Sequence, residues 1–262
     1  MSADIIASRA NELVKRTRAL SEAKTRRETG LHFIEGDKLV REALSSGMAL
    51  MDVFFEEGAS DGLPPDLPAE TRLHAVTRPV MEALCESKTP QRMCASVQSP
   101  ALTPPARYPD GLVVVLDAVQ DPGNVGTILR TADALGAAAV LLGAGTADAF
   151  SGKTLRAAMG STYHLPLYAG DAAAALAQLN AQGFCCVCGH LAGSGTLPAP
   201  GKRAALVIGN EGNGVSDELA GMADVNIKIP MAGHLESLNA SVAAGILMYE
   251  AQRCKTKSIK NI

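Results

Sequence analysis

The sequence has few of the residues that mark several large classes of protein. Its 262 residues include no Trp, and only 3% are aromatic. No apolar run approaches the roughly 18 residues of a membrane span, and the first residues lack the apolar stretch of about 7–15 residues that defines a signal peptide. We therefore expect a cytoplasmic protein that does not enter a membrane.

Cysteine is also sparse and irregularly placed. The densest group among the six cysteines, Cys185, Cys186 and Cys188, lies in the apolar run GFCCVCG. This spacing lacks the CxxC pairs of a zinc site, so we expect no metal. Free cysteines usually pack as small apolar side chains, and we expect these to be buried.

The net charge of −3 gives no global indication of a nucleic-acid partner. The local distribution is more informative, because residues 9–27 contain seven Lys or Arg against two Glu. Such a stripe is typical of a surface that binds phosphates, but it is also typical of an ordinary solvated helix face. The stripe alone leaves both interpretations open.

A proline-rich stretch, SPALTPPARYPDG, divides the chain, because proline disfavours regular structure and stiffens a connection. We predict a domain over residues 1–98, a linker over 99–111 and a second domain over 112–262. Helices and strands alternate in both domains. In the second domain strands such as LVVVL and AALVIG are apolar throughout, which is typical of a parallel sheet covered on both faces. The fold class is therefore α/β, with the smaller domain first.

Three glycine-rich loops come close to nucleotide-binding motifs without matching them. The loop GAGTADAFSGKT has Ala147 where a Walker loop requires glycine, and the fingerprint begun by Gly143 and Gly145 would need its third glycine at Asp148. The order of glycines in IGNEGNG does not suit a pyrophosphate bound at a helix N-terminus. These mismatches disfavour a nucleotide triphosphatase and leave a Rossmann dehydrogenase as a remote alternative.

Polar side chains instead follow three strands of the second domain, at the edge where parallel sheets bind ligands. Asn124 and Arg130 follow the first strand, and we expect Arg130 to look inward. Glu211 follows a second strand, and Ser237 and Asn239 open the last helix. Either of the last two could simply cap that helix, and Arg130 could simply pair with an acid on its own helix. Their positions at equivalent strand ends favour a shared site.

These three segments resemble the motifs of the SpoU/TrmH family of RNA ribose 2′-O-methyltransferases. DPGNVGTILRTADALGA resembles the first motif, VIGNEGNGVS the second and IPMAGHLESLNASVAAGILMYEA the third, in order and over nearly all of residues 112–253. FIEGDKLVREAL and SKTPQRMCASV resemble the small RNA-binding domain of the family, which is related to a kink-turn-binding ribosomal protein fold.

The resemblance implies a SPOUT fold, a parallel sheet with a deep trefoil knot, and a homodimer formed through the knot domain. It implies S-adenosylmethionine-dependent methylation of a ribose 2′-hydroxyl, on a guanosine or another nucleoside of structured RNA. Ribosomal RNA is favoured by the additional N-terminal domain. Transfer RNA and a catalytically silent RNA-binding protein are the alternatives.

The resemblance also implies roles for particular residues. The catalytic set is Arg130, Asn124, Glu211, Ser237 and Asn239. The cofactor set is Gly189, His190, Gly209, Asn210, Gly212, Ile229, Met231 and Leu238. The set expected to contact RNA is Arg16, Lys24, Arg26, Lys88, Lys153 and Arg156.

Arg130 has two possible roles in this scheme. We expect Glu211 to hold its guanidinium through a bidentate pair. A guanidinium keeps its proton at neutral pH, which argues against its acting as a general base. We therefore favour the hypothesis that Arg130 binds the adjacent phosphate and that this phosphate helps to take the proton.

Overall fold

The computed structural model describes residues 5–190, 192–193, 203–234 and 237–259, with the backbone alone for residues 254–259. The chain divides into two compact units. The first comprises Met1–Pro100 and Phe150–Tyr163, and the second comprises Ala101–Ala149 and His164–Ile262. The predicted domain boundaries assign residues 150–163 to the second domain, whereas these residues pack within the first unit.

The described residues form strands and helices in alternation. The strands are β1 (Leu31–Glu35), β2 (Leu50–Glu56), β3 (Arg72–Val76), β4 (Met93–Gln98), β5 (Gly111–Leu116), β6 (Ala139–Gly143), β7 (Leu167–Gly170), β8 (Cys185–Gly189), β9 (Arg203–Ile208) and β10 (Val225–Ile227). The helices are α1 (Glu12–Arg18), α2 (Ala23–Thr29), α3 (Asp37–Ser45), α4 (Arg78–Leu84), α5 (Pro122–Ala134), α6 (Gly152–Ala158), α7 (Ala172–Ala181), α8 (Asp217–Met222) and α9 (Ala240–Ile259).

The first unit contains a four-stranded sheet in the order β1-β4-β2-β3. Strands β2 and β3 are parallel, and β4 is antiparallel to both of its neighbours. His32 on β1 is fully buried and joins the two chain segments of this unit. Its Nε2 lies 2.8 Å from the hydroxyl of Tyr163, and its ring centroid lies 4.7 Å from that of Phe150.

The helix-like run ANELVKRTRALSEA predicts a single helix over residues 10–23, but the structure has two helices, α1 and α2, separated by a 3₁₀ turn over Ala19–Ser21. The Arg26 guanidinium explains how the break is stabilised. Its Nη1 donates to the carbonyl oxygens of Leu20 and Ser21, both at 2.8 Å. Carbonyl groups released where a helix ends need such partners. Arg26 is consequently 7% exposed.

The second unit contains a six-stranded parallel sheet in the order β10-β8-β9-β5-β6-β7. The two central strands, β5 and β9, pair from Gly111↔Arg203 to Leu116↔Ile208 and are almost entirely buried. This confirms the predicted parallel sheet. The order places the ends of β10, β8, β9 and β5 side by side, so the loops that follow them meet at one edge. The predicted knot stays a prediction.

The run YHLPLY predicts a strand over residues 163–168, which is wrong for its first four residues. Ser161–Tyr163 forms a 3₁₀ turn, and β7 begins only at Leu167. The reason is the contact between Tyr163 and His32, which places Tyr163 in the first unit instead of the sheet of the second.

Cysteine burial follows the prediction in part. Cys94, Cys186 and Cys188 are fully buried, whereas Cys85 and Cys185 are half-buried. The side chain of Cys254 lies outside the described residues. No helix in the described ranges combines the length and hydropathy that crossing a membrane requires.

Candidate active site

The loop after β5 turns sharply into α5. Asp121 caps this helix, because its Oδ1 accepts a hydrogen bond of 2.9 Å from the backbone N–H of Asn124, and Pro122 occupies the first turn, where its missing N–H costs nothing. This geometry fixes the first turn of α5 and leaves the Asn124 side chain only 9% exposed.

Glu211, on the loop after β9, holds this turn from outside. Its Oε1 accepts hydrogen bonds from the Asp121 N–H at 3.0 Å and from Asn124 Nδ2 at 2.9 Å, and its Oε2 accepts one from the Gln120 N–H at 3.0 Å. Partial burial acts to raise the pKa of this carboxyl. The hydrogen bonds outweigh burial, with that from Asn124 the largest, and the pKa lies below its usual value. Glu211 is therefore an anion whose two oxygens hold the loop after β5 in place.

Asn124 also hydrogen-bonds to Asn239, in the loop that precedes α9. Its Oδ1 accepts a hydrogen bond of 2.9 Å from Asn239 Nδ2, while Asn239 Oδ1 accepts from the N–H groups of Ser241 and Val242 at 2.9 and 3.4 Å. Asn239 thus caps α9 and also joins the site. We call Glu211, Asn124 and Asn239 the polar chain, because it links the loops after β5 and β9 to the start of α9.

The residues next to Glu211 shape their own loop. Asn210 Nδ2 donates to the Ala118 carbonyl at 2.8 Å, and its Oδ1 accepts from the Gly212 N–H at 2.8 Å. A Cβ at Gly209 would lie 2.1 Å from the backbone of Gly214. Glycine is therefore required at position 209, because the loop returns against its own backbone.

A cavity of about 130 Å³ opens beside the polar chain. All eight residues of the predicted cofactor set line it, together with Glu211 and Ser237. That they bind a cofactor stays a prediction. Sequence reasoning missed seven further lining residues, which are Ile208, Gly214, Ile227, Lys228, Ala240, Ala243 and Leu247. The positions of the last three, spaced as one face of a helix, were a usable signal.

Arg130 is not where we expected it. Its side chain is exposed, and no described residue forms a hydrogen bond or ion pair with it. Six residues separate it from Asn124, which places the two side chains about 120° apart around α5. The expected pair with Glu211 is therefore wrong within one chain, because that carboxylate is occupied by the loop. The alternative pair with Asp133 is also absent, since Asp133 contacts His164 Nδ1 at 2.9 Å.

The predicted RNA-binding set divides by exposure. Arg16, Lys24, Lys88, Lys153 and Arg156 are exposed. Arg26 is a correction to that set, because its buried guanidinium closes the break between α1 and α2 and does not face solvent.

Arg156 is exposed but already paired with carboxylates. Its Nη2 lies 3.0 Å from Glu86 Oε2, and its Nη1 lies 3.9 Å from Glu35 Oε1. An RNA phosphate would have to compete with these partners.

Comparison with known proteins assigns both units. The SpoU rRNA methylase family matches residues 111–249, and an MRM3-like substrate-binding domain matches residues 11–95. The chain is 39% identical to the 23S rRNA (guanosine(2553)-2′-O)-methyltransferase RlmP of Bacillus subtilis, over 93% of this chain and 97% of that protein.

Solved structures agree with this assignment. An AdoMet-bound rRNA methyltransferase from Sinorhizobium meliloti has a TM-score of 0.88 and 33% identity, over 96% of this chain and 98% of that one. The AdoMet complex of the SpoU methyltransferase AviRb from Streptomyces viridochromogenes has a TM-score of 0.83 and 26% identity, over 94% and 98%. The second unit thus has the SPOUT methyltransferase fold, and the chain belongs to the SpoU rRNA methylase family.

Proposed function

We propose that this protein transfers a methyl group from S-adenosylmethionine to a ribose 2′-hydroxyl of ribosomal RNA. The observation that carries the proposal is the polar chain beside a cavity lined by three loops. The similarity to RlmP, whose name specifies guanosine in 23S rRNA, makes a guanosine of 23S rRNA the proposed target.

The residues that line the cavity suit the chemistry of the cofactor. Gly189 lines the cavity without a side chain, and a Cβ there would lie 2.9 Å from the δ-methyl of Leu247. Ile229 and Leu238 supply apolar walls for an adenine ring. Backbone groups of the loop around Gly209 and Asn210 supply polar contacts. The cofactor supplies a methyl group on a sulfonium, which needs an aligned nucleophile and no metal.

The polar chain positions this apparatus and does not itself react. Glu211 and Asn239 hold Asn124 from two sides, so the loops after β5 and β9 and the start of α9 keep one relative geometry. Ser237 lines the cavity and offers a hydroxyl within it. Preorganisation of this kind removes reorganisation from the reaction step.

We propose that Arg130 acts in the site of a partner subunit. Within one chain Arg130 is exposed and lies about 120° around α5 from Asn124, so we assign its catalytic role to the site of a second copy. There it binds a substrate phosphate, and a phosphate oxygen helps to take the proton that the 2′-hydroxyl loses as its new C–O bond forms. A guanidinium suits this role because it stays protonated and matches phosphate geometry.

The homodimer this requires has a candidate surface on α9. Val242, Ile246 and Tyr249 are 50%, 39% and 55% exposed. Their spacing places them on one side of the helix. Large apolar side chains grouped in this way mark an interaction surface. Thr131, the residue after Arg130, packs near Gly245 of α9, because its γ-methyl would lie 3.7 Å from a Cβ placed there. Arg130 and the apolar stripe formed by Val242, Ile246 and Tyr249 therefore share one region.

The proposal is tested by mapping 2′-O-methylated nucleotides in total RNA from cells with and without the gene. We expect one guanosine of 23S rRNA to lose its methyl group and to regain it when the wild-type gene, but not Arg130→Ala, is restored. Loss of a tRNA site would assign the substrate to tRNA. Loss of no site would support a catalytically silent RNA-binding protein.

A further inference from the structure

Two of the residues that line the cavity, Glu211 and Lys228, carry opposite charges. Glu211 follows β9, and Lys228 follows β10 directly. Strand β8 lies between these two strands in the sheet. Since neighbouring strands are about 4.8 Å apart, the two charges start from strand ends about 10 Å apart. Gly189, at the end of β8, presents no side chain between them.

Glu211 and Lys228 differ in whether other residues of the protein engage their charged groups. Both oxygens of Glu211 accept hydrogen bonds from the loop after β5. Lys228 is exposed, and within the part of the chain that the structure describes no hydrogen bond or ion pair engages its ammonium group. The Glu211 carboxylate is thus engaged by the loop after β5, whereas the Lys228 ammonium group can bind a ligand.

The charges of the methyl donor indicate which of its groups lies near Glu211 and which near Lys228. S-adenosylmethionine carries a sulfonium cation and, at the end of its methionine moiety, an ammonium and a carboxylate. A sulfonium beside Lys228 would be repelled, whereas it is attracted toward the fixed anion of Glu211. Resting on the proposed function, we propose that Lys228 binds the methionine carboxylate and makes the cavity selective for ligands that carry an amino-acid tail.

The test compares two ligands that differ only at that end. S-adenosylhomocysteine and 5′-methylthioadenosine share adenosine and a neutral sulfur, but only the first has the amino-acid tail. Their affinities are measured by titration calorimetry for the wild type, Lys228→Met and Lys228→Arg. Lys38→Met, which removes an exposed lysine of the first unit, is the matched control.

We expect Lys228→Met to weaken S-adenosylhomocysteine about tenfold, which corresponds to about 1.4 kcal/mol, and 5′-methylthioadenosine less than twofold. Lys228→Arg should recover most of the loss, and Lys38→Met should change neither affinity. An equal loss for both ligands would assign Lys228 a structural role, and no loss for either would place it away from the tail. Either result overturns the inference. If the wild type binds neither ligand, the proposed function itself fails.

Discussion

At the scale of single residues, the site depends on the two-sided amide of Asn124. Its Nδ2 donates to Glu211 while its Oδ1 accepts from Asn239. An amide carries its donor and its acceptor on two separate atoms, so each partner meets an atom of its own. Aspartate has the same shape, but it loses the donor and places a second carboxylate beside Glu211.

Asn124→Asp should therefore be more destabilising at pH 7 than Asn124→Ala. Alanine loses two hydrogen bonds, a cost of about 1–3 kcal/mol, and aspartate adds repulsion between like charges. At about pH 4 the order should reverse, because one proton shared by the two carboxyl groups restores a hydrogen bond. Thermal unfolding of both variants across pH measures this. A difference between them that does not change with pH would contradict it.

The stability of the wild type should fall in acid, whereas acid should relieve the repulsion in Asn124→Asp. Its Glu211 pKa is lowered below the ordinary 4.5 in the folded state. The stabilisation is then complete above that ordinary value and is lost as the pH falls through the lower folded value. Glu211→Gln should remove this dependence, and the stabilities of wild type and variant should converge in acid.

Arg130 should contribute to turnover and not to cofactor affinity. We expect Arg130→Ala to lower kcat by about 10²–10³, as loss of a group that stabilises transition-state charge does. Arg130→Lys should keep part of the rate, because it retains the charge and loses only the planar fork. Single-turnover assays measure the rates, and calorimetry with S-adenosylhomocysteine is the control. Equal rates for the two variants would contradict a role in charge neutralisation.

The sequence was informative about which residues meet and less so about which atoms pair. Strand-end positions were sufficient to place Asn124, Glu211 and Asn239 in one region. That Arg130 would not pair with Glu211 was not predictable, because the direction of its side chain depends on the rotation of α5, which Asp121 and Glu211 set together.

At the scale of elements, α9 serves two surfaces at once. Ala240, Ala243 and Leu247 line the cavity. Val242 and Ile246, which alternate with them in sequence, are exposed. A helix whose two sides are both apolar gives little amphipathic signal. The sequence therefore predicted where α9 begins and not that it has apolar residues both on its cavity side and on its exposed side.

Ile246→Glu should convert a dimer into a monomer. A charge at the centre of the apolar stripe would be buried in the interface without a partner. Light scattering coupled to size exclusion should show the mass change from twice 27.1 kDa to 27.1 kDa. Leu73→Glu, which alters an apolar residue of β3 that is 45% exposed, is the control and should leave the mass unchanged. A wild-type monomer would contradict the proposed dimer.

At the scale of the whole molecule, the first unit is built from two separate stretches of chain. Residues 150–163 complete it, through the hydrogen bond between His32 and Tyr163 and the ion pair between Arg156 and Glu86. Composition predicted the boundary at the prolines, which is a local feature. It could not predict the second segment, because that depends on contacts between residues 70 and 131 positions apart.

Tyr163→Phe should loosen this segment without unfolding the chain. It removes one hydrogen bond from buried His32, a cost of about 1 kcal/mol. Hydrogen exchange in the full-length protein should become faster over residues 150–163 and stay unchanged in the second unit. The matched control is Tyr168→Phe in the second unit, which should not affect this segment. Unchanged exchange would show that other contacts hold the segment.

The divided first unit also limits how such proteins can be recombined. A chimera that exchanges target-recognition modules between relatives by a single cut at the prolines would combine one parent's β1 with the other parent's α6. Tyr163 and Arg156 would then face foreign residues in place of His32 and Glu86. A successful graft must transplant both stretches together, so the natural unit of exchange is discontinuous.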